Sequence, residues 1–440
     1  MKKALVLSAL SSALLLSFPA VAAEPAIAET AIVKPAKPSS DMFEALAALG
    51  KELKAAMGSG RGNPIPYLDQ LAAHEYSDAT REKVATVFGS KEPLNIRRST
   101  GANGQVSYAF TAPAYHYLDS NANTISWSDL VLELQLDKAG RNMVSKGSWG
   151  SFSIADKDMA MVISDISGDG KQRRNAQNIW IGKLHGAIGK IVVTPANTPA
   201  VVLDALSFAS NAVEHGKAVD IGYDARIKSI SGFGEQVDDI HYAMRLLNID
   251  MRALEKLTDT LADADQAGKT KEQKLALFAE QLKSMGKTLA ARGTALEIDD
   301  FSAAFHGQRA TIKGKVWLAP GSGNADFASL DKFGKKIMVR LTVKVPVALV
   351  TEIAKVVTAR QATAKGETQS PEAIAQAAQT ATDFIVGKML NESVAKLDNG
   401  VLVSLIEFKG GKLTCNGKEM SLPTGTRPAP AAKPEAGSAE

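Results

Sequence analysis

The chain has 440 residues, 45% of them hydrophobic, with 51 basic against 47 acidic side chains and a formal charge of +4. So near-neutral a balance excludes an electrostatic footprint for nucleic acid, and the length accommodates one large domain or two ordinary ones. Cys415 is the single cysteine, so no internal disulfide forms and the core has to hold by packing alone.

The first expected element is a leader. Lys2 and Lys3 precede an uncharged apolar run from Ala4 to Phe18, and Pro19 leads into Ala20, Val21, Ala22 and Ala23. That order reads as a secretory signal peptide over 1–23, with cleavage after Ala23 and the periplasm as destination. The run is shorter than the ~20 apolar residues of a membrane span. No later stretch approaches one, so no transmembrane segment is expected in the mature chain. Residues 24–40 and 424–440 mix Pro and Ala with charged and small residues without periodicity, and both read as disordered.

An N-terminal helical segment is expected over 41–100. It opens with Phe43, Leu46, Leu49, Leu53 and Met57 at helical spacing behind Ser40 and Asp41. From about Leu94 the period becomes two. Ile125, Trp127, Asp129, Val131, Glu133 and Gln135 alternate with Leu130, Leu132, Leu134 and Leu136 as the two faces of a strand. Further strands are expected at 106–111, 149–154, 159–165, 178–193, 201–208, 218–230 and 237–247. Gly-, Asn- and Asp-bearing turns join them, which favours an antiparallel meander over 101–249 rather than βαβ units.

An α+β region ending in a β-hairpin is expected over 250–423. Asp250 can cap a helix with the stripe Met251, Leu254, Leu257 and Leu261, and Thr270 with Gln273 has capping-box spacing for a second. That second helix carries Leu275, Phe278, Leu282, Met285 and Leu289. They are expected to form one face packed on the sheet, with a cofactor or partner seam as the alternative. Strands resume at 295–305, 310–318 and 337–345. Pro346 then ends a strand and opens a helix, and Ser370-Pro371 starts another. Gly410-Gly411 is a two-residue turn, which places Phe408 opposite Leu413, Ile406 opposite Cys415 and Glu407 opposite Thr414. Cys415 then lies inside. Together these elements make an α+β fold: a long, curved, mostly antiparallel β-sheet meander with packed amphipathic helices.

Three stretches carry a family likeness. Leu246 to Leu254 (LLNIDMRAL), Val345-Pro346-Val347 and Ile406 to Lys418 (IEFKGGKLTCNGK) resemble the YdgA-like family of bacterial envelope proteins, whose function is not established. The likeness covers about 218–422, while residues 41–200 do not match what is expected of that family's N-terminal region. The resemblance implies a signal or anchor, a long β-rich body and no assigned catalytic residues.

Motifs for chemistry fail one after another. Asp165, Ser167, Asp169 and Gly170 begin like a calcium loop, but the twelfth position is Ala176, and Lys171, Arg173 and Arg174 put positive charge where the ion would sit. The segment reads as a polar turn leaving a strand, and no metal site is assigned. Gly286-Lys287-Thr288 and Gly268-Lys269-Thr270 lack the earlier glycine of a phosphate loop. Ser284/Lys287 and Ser329/Lys332 have Ser-x-x-Lys spacing without its companion motifs, and no Gly-x-Ser-x-Gly elbow occurs. The six histidines, at 74, 116, 185, 215, 241 and 306, never fall at metal-helix spacing. Asp238-Asp239 and Asp299-Asp300 would point to opposite faces of a strand. Around Asp299-Asp300, however, the apolar parity slips from Leu296/Ile298 to Phe301/Ala303/Phe305, which predicts a bulge.

No catalytic residue and no cofactor is assigned. The reading is a non-enzymatic binding or scaffolding protein of the cell envelope, with a lipid, another apolar ligand or an envelope protein as its partner. The alternative is an envelope-acting hydrolase whose site is assembled from distant strands. An apolar strand face left uncovered by helices would favour the first. A buried acid or histidine cluster in a pocket would favour the second.

Overall fold

The computed structural model describes residues 40–57, 63–88, 90–92, 94–118, 123–266, 268–321, 327 and 329–420. The expected leader, the 24–40 linker up to Ser40 and the 424–440 tail lie outside the described residues.

Three helices come first: α1 (Ser40–Met57), α2 (Pro64–Ala72) and α3 (Asp78–Phe88). Asn63 starts α2 by accepting from the Ile65 N–H at 3.1 Å, with Pro64 in the first turn. Ala45 and Leu49 of α1 meet Val84, Val87 and Phe88 of α3 in one buried cluster over Tyr115, Ile125 and Trp127. Glu52 of α1 ties the pair together. Its carboxylate accepts from the Ser77 N–H at 3.0 Å and from the Ser77 and Thr80 hydroxyls at the head of α3. Those donors favour the charged form and hold its pKa down at about 2. A depressed carboxylate stabilises the fold above its ordinary value of 4.5, and that contribution is lost as pH falls from there towards 2. Between pH 5 and 3 the melting temperature of Glu52→Gln is therefore expected to fall less than that of the wild type. Parallel thermal scans check this, and equal slopes would rule out Glu52 as the acid-labile tie.

The chain then runs through β1 (Asn95–Thr100), β2 (Val106–Ala112), β3 (Tyr115–Leu118), β4 (Thr124–Trp127) and β5 (Leu130–Leu136). Six long strands follow: β6 (Asn142–Ala155), β7 (Met159–Arg174), β8 (Trp180–Pro195), β9 (Val201–His215), β10 (Ala218–Gly232) and β11 (Glu235–Asp250). After α4 (Met251–Gln266) and α5 (Lys271–Arg292) come β12 (Ala295–Phe305), β13 (Gln308–Leu318), α6 (Leu330–Lys336) and β14 (Ile337–Pro346). The helical hairpin α7 (Val347–Ala364) and α8 (Pro371–Asn391) precedes β15 (Lys396–Asp398), β16 (Val401–Lys409), β17 (Lys412–Cys415) and β18 (Lys418–Met420). The strands form one open sheet with antiparallel pairing throughout. From β5 to β14 each strand lies beside the next in sequence, and β14 then pairs with β16. This is the expected α+β meander. Among the described residues no helix is long and apolar enough to cross a membrane.

The expected caps and turns are present. Asp250 accepts from the N–H groups of Arg252 and Ala253, each at 3.1 Å. The Thr270–Gln273 capping box forms, and Ser370 caps α8. Pro346 ends β14 as the residue capping α7. The terminal hairpin has the expected register, and Cys415 is buried. In α5, Met285 and Leu289 are buried and Phe278 and Leu282 pack beside them. Leu275 departs from the expected stripe and is 59% exposed.

Strand extents differ from expectation for one shared reason. Gly150, Asp165, Gly189, Ala205, Lys228 and Asp239 lie side by side across β6 to β11, and each ladder is interrupted there and resumes in unchanged register. Asp165, Ala205 and Asp239 have left-handed φ values of 58°, 50° and 48°. Side-chain parity slips at this row. On β8 the exposed positions are Lys183 and His185, then Lys190 and Thr194. Because neighbouring strands slip together, each ladder skips one pair at this row and keeps its register on either side. The row continues into the break at Ser128-Asp129 that separates β4 from β5, where one strand was expected. It also corrects the turn expected around Asp165, Ser167 and Asp169, since all three lie within β7. Gly189 makes room for the crease. A Cβ there would stand 2.7 Å from the Asp165 Cβ.

Candidate functional site

Cross-strand partners share a sheet face, so the register sorts the long strands into a charged face and an apolar one. On the charged face, Lys146, Asp169, His185, Ala209, Asp224, Ala243 and Asp300 form one transverse row from β6 to β12. An open concavity of about 640 Å³ lies over it, floored by Ala209, Asn211, Gly222 and Ala243 and edged by Lys183 and Arg245.

At its β10–β12 side sits a chain of polar groups that sequence reading did not connect. His241 faces Asp300 through Nδ1 and Asp224 through Nε2, both at 2.9 Å. The Arg226 guanidinium beside Asp224 holds that carboxyl below its ordinary range. Ser302 donates to Asp300 at 3.3 Å and accepts from Arg309 at 2.9 Å. Arg245 takes Asp299 in a two-pronged pair, 2.7 Å on each side, which lowers the Asp299 pKa. The expected bulge makes this possible. Pairing shifts between Ile298 and Phe301, and both adjacent carboxylates then reach β11 partners on one face.

Chemically the array is a staple across three strands. With a carboxylate on each ring nitrogen, the imidazole of His241 has no free position for abstracting a substrate proton. Ser302 is only 4% exposed. Asp169 lies 3.5 Å from His185, and among the described residues no group of His, Cys, Asp or Glu is placed to hold a metal. The rejected motifs find ordinary roles. Ser329 caps α6 by accepting from the Lys332 N–H, and Ser284 donates to a carbonyl within α5. His116 is a residue of β3. His306 bridges Glu352 of α7 and Glu235 of β11 at 3.0 and 3.3 Å, and the Glu352 hydrogen bond raises its pKa.

The apolar face is the more unusual surface. Gly147, Gly168, Gly186, Phe208, Ala225, Tyr242 and Phe301 form an unbroken row across β6 to β12. The Phe208 ring lies down over Gly186, where a Cβ would meet it at 2.2 Å. Tyr242 and Phe301 stand edge to face, with ring centres 5.8 Å apart. Phe208, Tyr242 and Phe301 are 40%, 38% and 47% exposed. Helices cover the sheet elsewhere: α4 over Ile181, Val219 and Ile221, α2 over Val106, Tyr108 and Leu136, and α1 with α3 over Phe152 and Ile154. Between them the middle of β7 to β10 keeps its apolar row open.

No curated protein and no solved structure matches the chain. A family model described as bacterial protein of unknown function (DUF945) matches residues 70–423. That match covers the 218–422 stretch in which the motifs lie and also runs back across the first nine strands into α2, and it carries no YdgA-like name. With most of its length inside that match, the chain belongs to this bacterial family of unknown function.

Proposed function

We propose that the protein is an exported, periplasmic binding protein for a ligand with an acyl chain or similar apolar body, and performs no chemistry on it. The observation that carries this reading is the uncovered row of Phe208, Tyr242 and Phe301. A buried aromatic ring removes 150–250 Å² from water, and a contiguous exposed apolar patch marks an interaction site. The glycines beside Phe208 keep the floor low, so a chain can lie against backbone and ring faces. Export rests on the charge, apolar run and small residues of 1–23. The hydrolase alternative has its support in the Asp224–His241–Asp300 array, whose ring nitrogens are both already engaged.

Native mass spectrometry of the protein purified gently from periplasm, with organic extraction of the same sample, tests both parts. A chain starting at Glu24 with a stoichiometric apolar adduct is expected. Phe208→Asp should lose the adduct while keeping a near-wild-type melting temperature, because that ring is already half in water. An apo mass from fresh periplasm, or an adduct indifferent to Phe208→Asp, would defeat the reading.

A further inference from the structure

The apolar row does not end in apolar residues. Along β7 the positions facing it are Ile166, Gly168, Gly170, Gln172 and Arg174, in steps of two. Gln172 is only 5% exposed, and its Oε1 is buried without a hydrogen-bond partner. Two residues on, Arg174 Nη1 is likewise buried without one. A buried acceptor and a buried guanidinium donor, both unmet, are costly in a folded protein and call for a partner. The cross-strand neighbours of Gln172 supply none. Opposite Gln172 stand Met143 on β6 and Gly182 on β8. Gly182 has a φ of 135°, and a Cβ there would lie 2.2 Å from the Lys171 carbonyl oxygen, so β8 can present only bare backbone to the amide.

We infer that Gln172 and Arg174 hold the anionic headgroup of an amphiphile whose chain lies over Gly168 and the Phe208 row; this rests on the apolar-ligand reading above. The guanidinium donates to an anionic oxygen, and Gln172 Oε1 accepts from a hydroxyl or protonated oxygen of the same head. The span fits one chain. The six steps from Ile166 to Gln172 cover roughly 20 Å at ~3.3 Å per residue, more than the ~15 Å of one leaflet of a ~30 Å hydrocarbon core. Carboxylate and phosphate heads share this chemistry.

The test compares three probes on the mature full-length protein, by titration calorimetry below their micellar concentrations: oleate, oleoyl-lysophosphatidylglycerol and neutral monoolein. At least one anionic probe is expected to bind about tenfold or more tighter than monoolein, as one charge-assisted hydrogen bond allows. Arg174→Gln should erase that preference and leave monoolein affinity unchanged. Tight oleate alone identifies a carboxylate head, and tight lysophospholipid alone identifies a phosphate head. Equal affinity for all three probes would overturn the headgroup site while sparing the apolar one. That arm uses only wild-type protein, so it stands even if the variant fails to fold. A preference surviving in folded Arg174→Gln would also overturn it. Binding of none of the three would overturn the apolar reading itself.

Discussion

Replacing Asn416 by alanine is expected to destabilise the protein by about 3 kcal/mol, from three lost hydrogen bonds at ~1 kcal/mol each with a further backbone penalty that relaxation partly offsets. Asn416 follows β17 with a φ of 49°, in the left-handed region that asparagine tolerates better than alanine. Its Oδ1 accepts from the Leu405 N–H at 2.9 Å, and its Nδ2 donates to the carbonyls of Ser393 and Val394, each at 3.1 Å. One side chain thus joins the end of α8 to β16, a strand hydrogen-bonded to β14 along eight residue pairs. The Ser404 and Cys415 side chains also donate to the Val394 carbonyl, so the whole corner depends on this turn. Urea unfolding of Asn416→Ala and Asn416→Gly separates the causes. Glycine relieves the left-handed backbone but restores none of the bonds, so it should recover only a minor part of the loss. A cost below about 1 kcal/mol for alanine would mean that the corner re-forms without the amide.

What was legible in the sequence was what short range decides. A capping box spans four residues and a hairpin register needs only its turn, so Thr270–Gln273 and Phe408–Leu413 were readable. Even the bulge at Asp299-Asp300 announced itself, because the parity slip falls inside one strand. The crease at Asp165 was instead read as a turn, from its run of Asp, Ser and Gly. Inside a single strand, a left-handed Asp that breaks the period looks like a chain leaving the sheet. Only the neighbouring strands, breaking at Gly189 and Ala205 in the same row, show that the chain continues. The polar array is illegible for the same physical reason. Asp224, His241 and Asp300 lie on three strands, with the helical pair α4–α5 between the second and third. Nothing local to any of them names its partners. Gln172 and Arg174 look like ordinary polar positions near a strand end. Their significance appears only once burial shows that they lack partners.

The stretches that carried the family likeness also locate the second large effect. Asp250 closes β11 inside the motif 246–254 and is 8% exposed. Its Oδ1 takes the first free N–H groups of α4, and its Oδ2 lies 3.2 Å from the Arg292 guanidinium at the end of α5. One carboxylate therefore starts a helix, satisfies orphan donors and ties that helix to its neighbour. Asp250→Ala removes all of these and is expected to cost about 3 kcal/mol: up to ~2 for the cap and about 1 for the ion pair, whose arginine stays partly solvated. Asp250→Asn keeps an acceptor for the cap and gives up the charge, so about 1 kcal/mol is expected. A double-mutant cycle with Arg292→Ala isolates the ion-pair share. If Asp250→Asn proved as damaging as Asp250→Ala, the charge rather than the cap would dominate, and the coupling to Arg292 would have to exceed that of an exposed pair. If both were harmless, α4 would be held by Met251 and Leu254 against Val219 and Ile221 alone, and its start would not depend on this carboxylate.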